Sequence, residues 1–458
     1  MLNLVVGESH ALQALNPDGQ PATGLTWLSS DTNIVSLSAD DPPVLTAVAA
    51  GQATITAGSG SAVVTVYAEE LPLGTTIWSN PGNGSGVYSV VPAVPSPDGV
   101  ADVFAFQYDG TVQAIKSDGT TAWTANLEWD PAVPDFQGGL IVQRYSYDGS
   151  SVAIAKLDGA TGQWYPSVSL GAPHYDGPRG ISIYPDGTVL ATAGDSDDNV
   201  YLVGIDPIAG AEKFRLPVTG RNGQIAWSGW NGIAQPEGSI VAGDGYAYVP
   251  YIYREMQGDS CTGVMSLDLM RIGSDGTYDW VHVLDHMAPD CGYGYTSASI
   301  ITNGDQGVLL SWEADVPQDD TIMRQYALAT LNGTTVSVSN GPFVSGQIGP
   351  IWPVLQTEDG SFIGTVGVYA GGSWANPMIK FDQTGAVAWT TAESDWQPQI
   401  ATDDGGVIAA LYGDRTQAAQ FDQFGGVDRA LTQNSYTLLV RRCLLQQLCR
   451  SADQPLSQ

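Results

Sequence analysis

The sequence predicts an all-β protein: a small β-sandwich followed by a long run of repeated four-stranded units. Three observations carry this. Short runs alternate apolar and polar residues, and no long helical period intervenes. Many of the 55 glycines sit in Asp-Gly, Asn-Gly or close variants, the chemistry of tight hairpins. From residue 75 onward a two-hairpin pattern returns roughly every 40–60 residues, the spacing of β-propeller blades.

Composition narrows the class. The 458 residues exceed one small core and suit a small domain plus a large one. Charged residues are 14% and hydrophobic ones 43% of the chain, which is a folded composition. Sixteen basic residues face 48 acidic ones, a net charge of −32. Phosphate backbones and anionic membranes are repelled by such a chain, so no nucleic-acid partner is expected. Cations, and glycan, small-molecule or protein ligands, fit better. No apolar run is long enough for a transmembrane helix, so no membrane insertion is expected. Met1-Leu2-Asn3-Leu4 lacks the charged and apolar regions of an export signal. The expectation is a monomeric secreted or cell-surface protein whose signal has been trimmed.

Residues 1–70 read as short strands. Asn33-Ile34-Val35-Ser36-Leu37 alternates and meets a turn at Asp40-Asp41-Pro42-Pro43. Ala53–Ala57 and Val63–Tyr67 alternate again, separated by Gly58-Ser59-Gly60. Thr26-Trp27-Leu28-Ser29-Ser30-Asp31 and the block from Leu45 to Thr56 resemble the bacterial Ig-like group 2 domain. The resemblance implies an Ig-like β-sandwich serving as a spacer or adhesion module on a surface or secreted protein. Glu69 to Gly74 reads as the linker.

Residues 75–432 read as the propeller. In each unit one beat is a strand, an Asp-Gly-like turn and a strand often closed by Trp. Lys116-Ser117-Asp118-Gly119 to Trp123, Leu157 to Trp164, Asp275-Gly276 to Trp280 and Phe381 to Trp389 are instances. A second beat precedes it, at Asp98-Gly99, Asp186-Gly187, Asp244-Gly245, Asp359-Gly360 and Asp404-Gly405. Two hairpins make a four-stranded blade, and counting them predicts seven blades. Thr76-Ile77-Trp78 offers a strand that could complete the last blade. Leu157–Trp164 and Phe381–Trp389 resemble the PQQ-like repeat of quinoprotein dehydrogenases and of scaffold propellers. That repeat implies a fold and no chemistry. Quinone binding would call for adjacent cysteines, which the chain lacks, so no PQQ is expected. Residues 433–458 form an apolar, locally basic tail that fits neither pattern.

Propeller loops place the candidate site. Loops between blades would carry His174, Tyr175, Asp176 and Arg179, then Arg221, Trp227 and Trp230, then His286 and Asp290. Loops between the second and third strands of a blade would carry Asp195, Asp197, Asp198 and Asn199, residues Arg254 to Cys261 and Glu313 to Asp320, and Trp374. Cys261 and Cys291 would then be neighbours on one face, and a disulfide between them is expected.

Three chemistries follow. Trp230 and Trp374 in glycine-rich loops, with Trp227 and Tyr175, could stack on a glycan or grip a protein. Trp129, Trp352 and Trp396 stand at strand entries and are read as blade-to-blade packing. Alternatively His174 and His286, with Asp176 or Asp290, could hold a divalent cation whose water attacks an ester, phosphoester or glycan in the central channel, with Arg179 or Arg221 stabilising negative charge. Asp195, Asp197, Asp198 and Asn199 could bind structural calcium. No Walker loop, dinucleotide fingerprint or Gly-x-Ser-x-Gly elbow is present, so no nucleotide is expected.

Overall fold

The computed structural model describes residues 2–12, 14–15, 21–58, 60–68, 80, 82–94, 96, 98–128, 130–146, 151–171, 181–194, 200–218, 239–257, 260–287, 296–304, 307–318, 321–357, 359–394, 396–401, 405–411, 414–421 and 427–431. All regular structure among them is β-strand. The chain divides into two compact units, one of residues 1–142 with 156–165, the other of 143–155 with 166–436.

At the start of the first unit, Leu2–Val5, Gly60–Tyr67, Gly51–Ala57 and Trp27–Ser29 form one sheet, with Leu2–Val5 parallel to Gly60–Tyr67. Ser9–Ala11, Val44–Ala47 and Val35–Leu37 form another. Alternation fixes what each buries: Ala53, Ile55, Val64 and Val66 of the first sheet meet Val35, Leu45 and Ala47 of the second in one core.

Beyond residue 86 the described strands form seven consecutive sheets, each meandering in chain order. The first comprises Val87–Pro92, Val103–Gln107, Thr111–Ile115 and Thr121–Asn126. The second comprises Ala132–Pro134, Leu140–Tyr145, Val152–Leu157 and Val168–Gly171. The third comprises Ser182–Ile183, Val189–Gly194, Val200–Asp206 and Ala211–Pro217. The fourth comprises Ile240–Val241, Ala247–Gln257, Ser260–Ile272 and Tyr278–Met287. The fifth comprises Thr296–Asn303, Gly307–Gln318, Thr321–Asn332 and Thr335–Asn340. The sixth comprises Gln347–Gln356, Phe362–Ala370, Pro377–Phe381 and Val387–Ser394, with Ser373–Ala375 added beside its second strand. The seventh comprises Trp396–Ala401, Val407–Leu411, Asp414–Phe421 and Val427–Leu431.

The two turn beats read from the sequence have distinct physical work. In the turn between third and fourth strands an Asp carboxylate accepts backbone N–H groups two or three residues on. Asp118 accepts from Thr120, Asp158 from Ala160 and Thr161, Asp275 from Thr277 and Asp382 from Thr384. The glycine that follows takes a positive φ, and in four of the sheets it lies under a ring from earlier in the chain. A Cβ on Gly162 (φ 70°) would stand 2.7 Å from the Trp123 ring, and one on Gly276 (φ 85°) 2.7 Å from Phe214. Phe343 covers Gly385 and Pro166 covers Gly210 in the same way. Trp123 also donates its indole N–H to the Gly159 carbonyl at 2.9 Å.

In the turn between first and second strands the aspartate is bidentate. Asp135 accepts the Gln137 and Gly139 N–H groups on one oxygen and the buried Lys156 ammonium on the other. Asp186 pairs with Lys213, Asp244 with Arg271 at 2.9 Å and Asp359 with Lys380 at 2.8 Å. Lys380 also donates to the Gly405 carbonyl in the next sheet. Three of the chain's four lysines are used here. Arg271 lies 3.5 Å from the Tyr246 ring centre, and Tyr248 donates to Asp244. Burial, then that carboxylate, pushes the Tyr248 phenol up to about 12.

Two expected loops are strand instead. Residues 254–257 and 260–261 continue the long hairpin of the fourth sheet, and residues 313–318 continue that of the fifth. Tyr251-Ile252-Tyr253 is a run of strand-favouring residues and Ala314-Asp315-Val316 keeps a two-residue period, so backbone pairing extends through the polar positions beyond them.

Gly162→Ala is expected to cost about 2 kcal/mol or more, because the left-handed backbone and the Trp123 ring both oppose a methyl group. Urea denaturation against Gly245→Ala, which has the φ but open space, separates the two causes. Asp359 supplies a pH prediction. Partial burial opposes its ionisation, but hydrogen bonds from Lys380, Thr357 and Ser361 win and hold its carboxyl well below the usual range. Its contribution to stability is therefore full above about pH 4, the unfolded value, and is lost as pH falls towards the folded one. Asp359→Asn should destabilise at pH 7 and progressively less below pH 4 in thermal melts.

Candidate functional site

Most predicted site residues lie outside the described residues: His174, Tyr175, Asp176, Arg179, Asp195, Asp197, Asp198, Asn199, Arg221, Trp227, Trp230, Asp290 and Cys291. So do Trp129, the strand at 76–78 and the tail. The expected Cys261–Cys291 disulfide falls there with them. His286 is in the strand Tyr278–Met287 and pairs with Met265, and Cys261 pairs with Met256. Both positions were expected in loops. Strand pairing in the fourth sheet runs farther than its turn residues suggest. Among the described residues no group of three or more His, Cys, Asp or Glu could hold a metal ion.

Trp374 is described, and it is not in a loop. Ala370-Gly371-Gly372-Ser373 is a tight hairpin turn with positive φ at both glycines. The turn sets Trp374 directly opposite Tyr369. Their rings meet edge to face, with centroids 5.6 Å apart and planes at 64°. Trp374 remains 75% exposed and Tyr369 46% exposed, so the indole keeps an open surface.

Strand period places more on this face. Thr365, Gly367 and Tyr369 alternate along one side of Phe362–Ala370. Trp352 pairs with Thr365 and shares that side. It is 42% exposed, on the side whose Ile363 and Met378 are buried with Trp396 and Val407 of the seventh sheet. The edge strand that carries it has a paired neighbour on one side alone. Trp396 behaves as expected and is buried with Trp389, Met378 and Val407. Between Trp352 and Tyr369 the first strand bulges opposite Gly367. There Gly349 and Gly367 approach each other, and a Cβ on Gly367 would lie 3.7 Å from the Asn376 side-chain oxygen. Two exposed aromatic positions thus flank a floor of bare backbone with an amide beside it.

A second arrangement escaped the sequence. His282 Nδ1 lies 2.8 Å from Asp268 Oδ1, across a register shift in the fourth sheet. Asp268 is fully buried and the imidazole is about one-third exposed. A buried carboxylate of this kind orients an imidazole. Fourteen residues separate the two, and the pairing becomes visible only once the hairpin register is known. The Tyr369–Trp374 pair, by contrast, had a local signal: a Gly-Gly turn flanked symmetrically by residues of strand type.

No protein-family model and no curated protein matches the chain. Solved structures similar to it include hydrazine synthase from Kuenenia stuttgartiensis, at 16% identity and a TM-score of 0.36 over 69% of this chain and 80% of that one. An ulvan lyase of polysaccharide lyase family PL25 is similar at 11% identity and a TM-score of 0.42, over 66% and 83%. The β-propeller domain of a Trilobed protease from Pyrococcus furiosus is similar at 10% identity and a TM-score of 0.37, over 64% and 78%.

Trp374→Phe should lower the fraction of tryptophan emission that acrylamide quenches, and by more than Trp164→Phe or Trp352→Phe does, because Trp374 is 75% exposed against 38% and 42%. Stern–Volmer quenching of the parent and the three variants measures this.

Proposed function

We propose that this chain is an extracellular recognition protein that binds a glycan through exposed aromatic residues of a seven-bladed β-propeller, with an Ig-like domain of the bacterial group 2 type as its spacer. Seven sheets that meander in order, four of them with a ring from earlier in the chain laid on the turn glycine, support the propeller reading. The alternation and the Leu45–Thr56 block support the Ig-like reading of the first domain.

The observation that carries the function is the exposed Tyr369–Trp374 pair. A large indole left 75% exposed on a short hairpin gives up hydrophobic burial that the fold could have used. Flat aromatic surfaces pack on the C–H faces of sugar rings, while nearby amide and backbone groups bond the hydroxyls. Asn376 and the Gly349–Gly367 backbone supply such groups within the same region. The reading as a secreted protein rests on the resemblance of residues 1–70 to surface and secreted Ig-like domains.

Affinity electrophoresis in gels containing soluble polysaccharides tests this. Retardation of the full chain that disappears in Trp374→Ala, with the melting temperature unchanged, is the expected result. Tyr369→Ala should weaken binding by about tenfold, since it removes one stacking partner. Retardation equal in Trp374→Ala and the parent would overturn the assignment.

A further inference from the structure

We propose that the hairpin turn between the third and fourth strands of the fifth sheet is a site of spontaneous covalent modification, at which Asn332 deamidates through the backbone nitrogen of Gly333. This modification is independent of glycan binding. An Asn-Gly pair is the sequence in which the reaction meets least steric resistance, because glycine presents its nitrogen without a side chain beside it. The pair alone does not decide the site. Four such pairs lie among the described residues: Asn83-Gly84, Asn303-Gly304, Asn332-Gly333 and Asn340-Gly341.

The chemistry states what a reactive pair needs. The Gly333 nitrogen attacks the side-chain carbonyl carbon of Asn332. A C–N bond forms, that nitrogen gives up its proton, and the side-chain nitrogen leaves as ammonia. Water then opens the five-membered imide at either carbonyl. One opening yields aspartate, and the other yields isoaspartate, whose main chain runs through the former side chain. Water is consumed, ammonia is released and nothing is oxidised. The side-chain amide must therefore be able to rotate, and the backbone nitrogen must be able to approach it.

Three of the pairs are tied. Asn83 donates its amide to Asp109 and Thr111 and accepts the Ser85 N–H at 2.9 Å. Gln356 clamps the second pair, accepting the Gly304 N–H at 2.9 Å and donating to the Asn303 side-chain oxygen at 3.2 Å. The Tyr326 carbonyl holds the Gly341 N–H at 2.8 Å. The remaining pair differs. Asn332 is exposed, and among the described residues neither its amide nor the Gly333 N–H has a hydrogen-bond partner. A Cβ on Gly333 would meet nothing within 4 Å, so the turn has room for the imide ring. Asn332 also closes the hairpin, opposite Thr335, and the end of a ladder opens most readily. The product reaches beyond the turn, because the Gly333 carbonyl accepts the Tyr248 phenol of the fourth sheet at 3.4 Å, and isoaspartate lengthens the main chain directly before it.

Peptide mapping by mass spectrometry tests the site. The full chain is incubated at mildly alkaline pH, natively and in urea, and the mass gain at each pair is followed with time. In the native protein Asn332 should react about fivefold or more ahead of Asn83, Asn303 and Asn340, whose reaction must first break a hydrogen bond. In urea the four rates should converge. Gln356→Ala should raise the native Asn303 rate about fivefold and leave that of Asn332 unchanged. Native Asn332 that stays intact while it reacts in urea would overturn the assignment, as would native reaction at any of the tied pairs as fast as at Asn332. Rates as far apart in urea as in the native protein, or an Asn303 rate indifferent to Gln356→Ala, would overturn selection by the fold.

Discussion

The contact that recurs along the repeated sheets is a ring laid on a glycine. In the described hairpins between third and fourth strands of the first six sheets a glycine takes a positive φ, which it does without strain. The missing side chain leaves a flat patch of backbone, and at Gly162, Gly210, Gly276 and Gly385 a ring from earlier in the chain covers it, Trp123, Pro166, Phe214 and Phe343 in turn, whereas Gly333 of the fifth sheet has open space. One local requirement serves two purposes, since the residue that closes the hairpin also creates the seat for its neighbour. Any larger residue would fail twice, once in the backbone and once in the packing.

The bidentate aspartates do related work at the other turns. A carboxylate that spends one oxygen on its own backbone would be costly to bury if the other were unpaired. Lys156 and Arg271 complete the two covered carboxylates, Asp135 and Asp244, while Lys213 and Lys380 pair with the half-exposed Asp186 and Asp359. The chain's net charge of −32 bears on which ligands can approach.

The sixth sheet departs from the repeat in ways that coincide. It has an additional short strand, a bulged first strand and two glycines, Gly349 and Gly367, facing each other at the bulge. Exposed aromatics stand on both sides of that interruption. The fourth and fifth sheets depart differently, with second and third strands of 11 to 13 residues. Their extensions lengthen the framework without breaking its hairpin order.

Much of this architecture was legible in the residues. Both turn beats lie where Asp-Gly spacing put them, because an Asx turn and a glycine with positive φ are decided by neighbours in sequence. The strand faces of residues 33–67 followed from a two-residue period for the same reason. Strand ends were less legible: Arg254, Glu313 and His286 looked like loop residues, yet the partner strand continued beside them and the ladder went on. Side-chain partners across sheets were not legible at all. Nothing local distinguishes buried Trp396 from exposed Trp352, or joins Asp268 to His282. The sequence by itself determined the turns and the alternation, which are short-range stereochemistry. Tertiary structure decided which rings were covered and which remained open, because burial depends on chain segments distant in sequence.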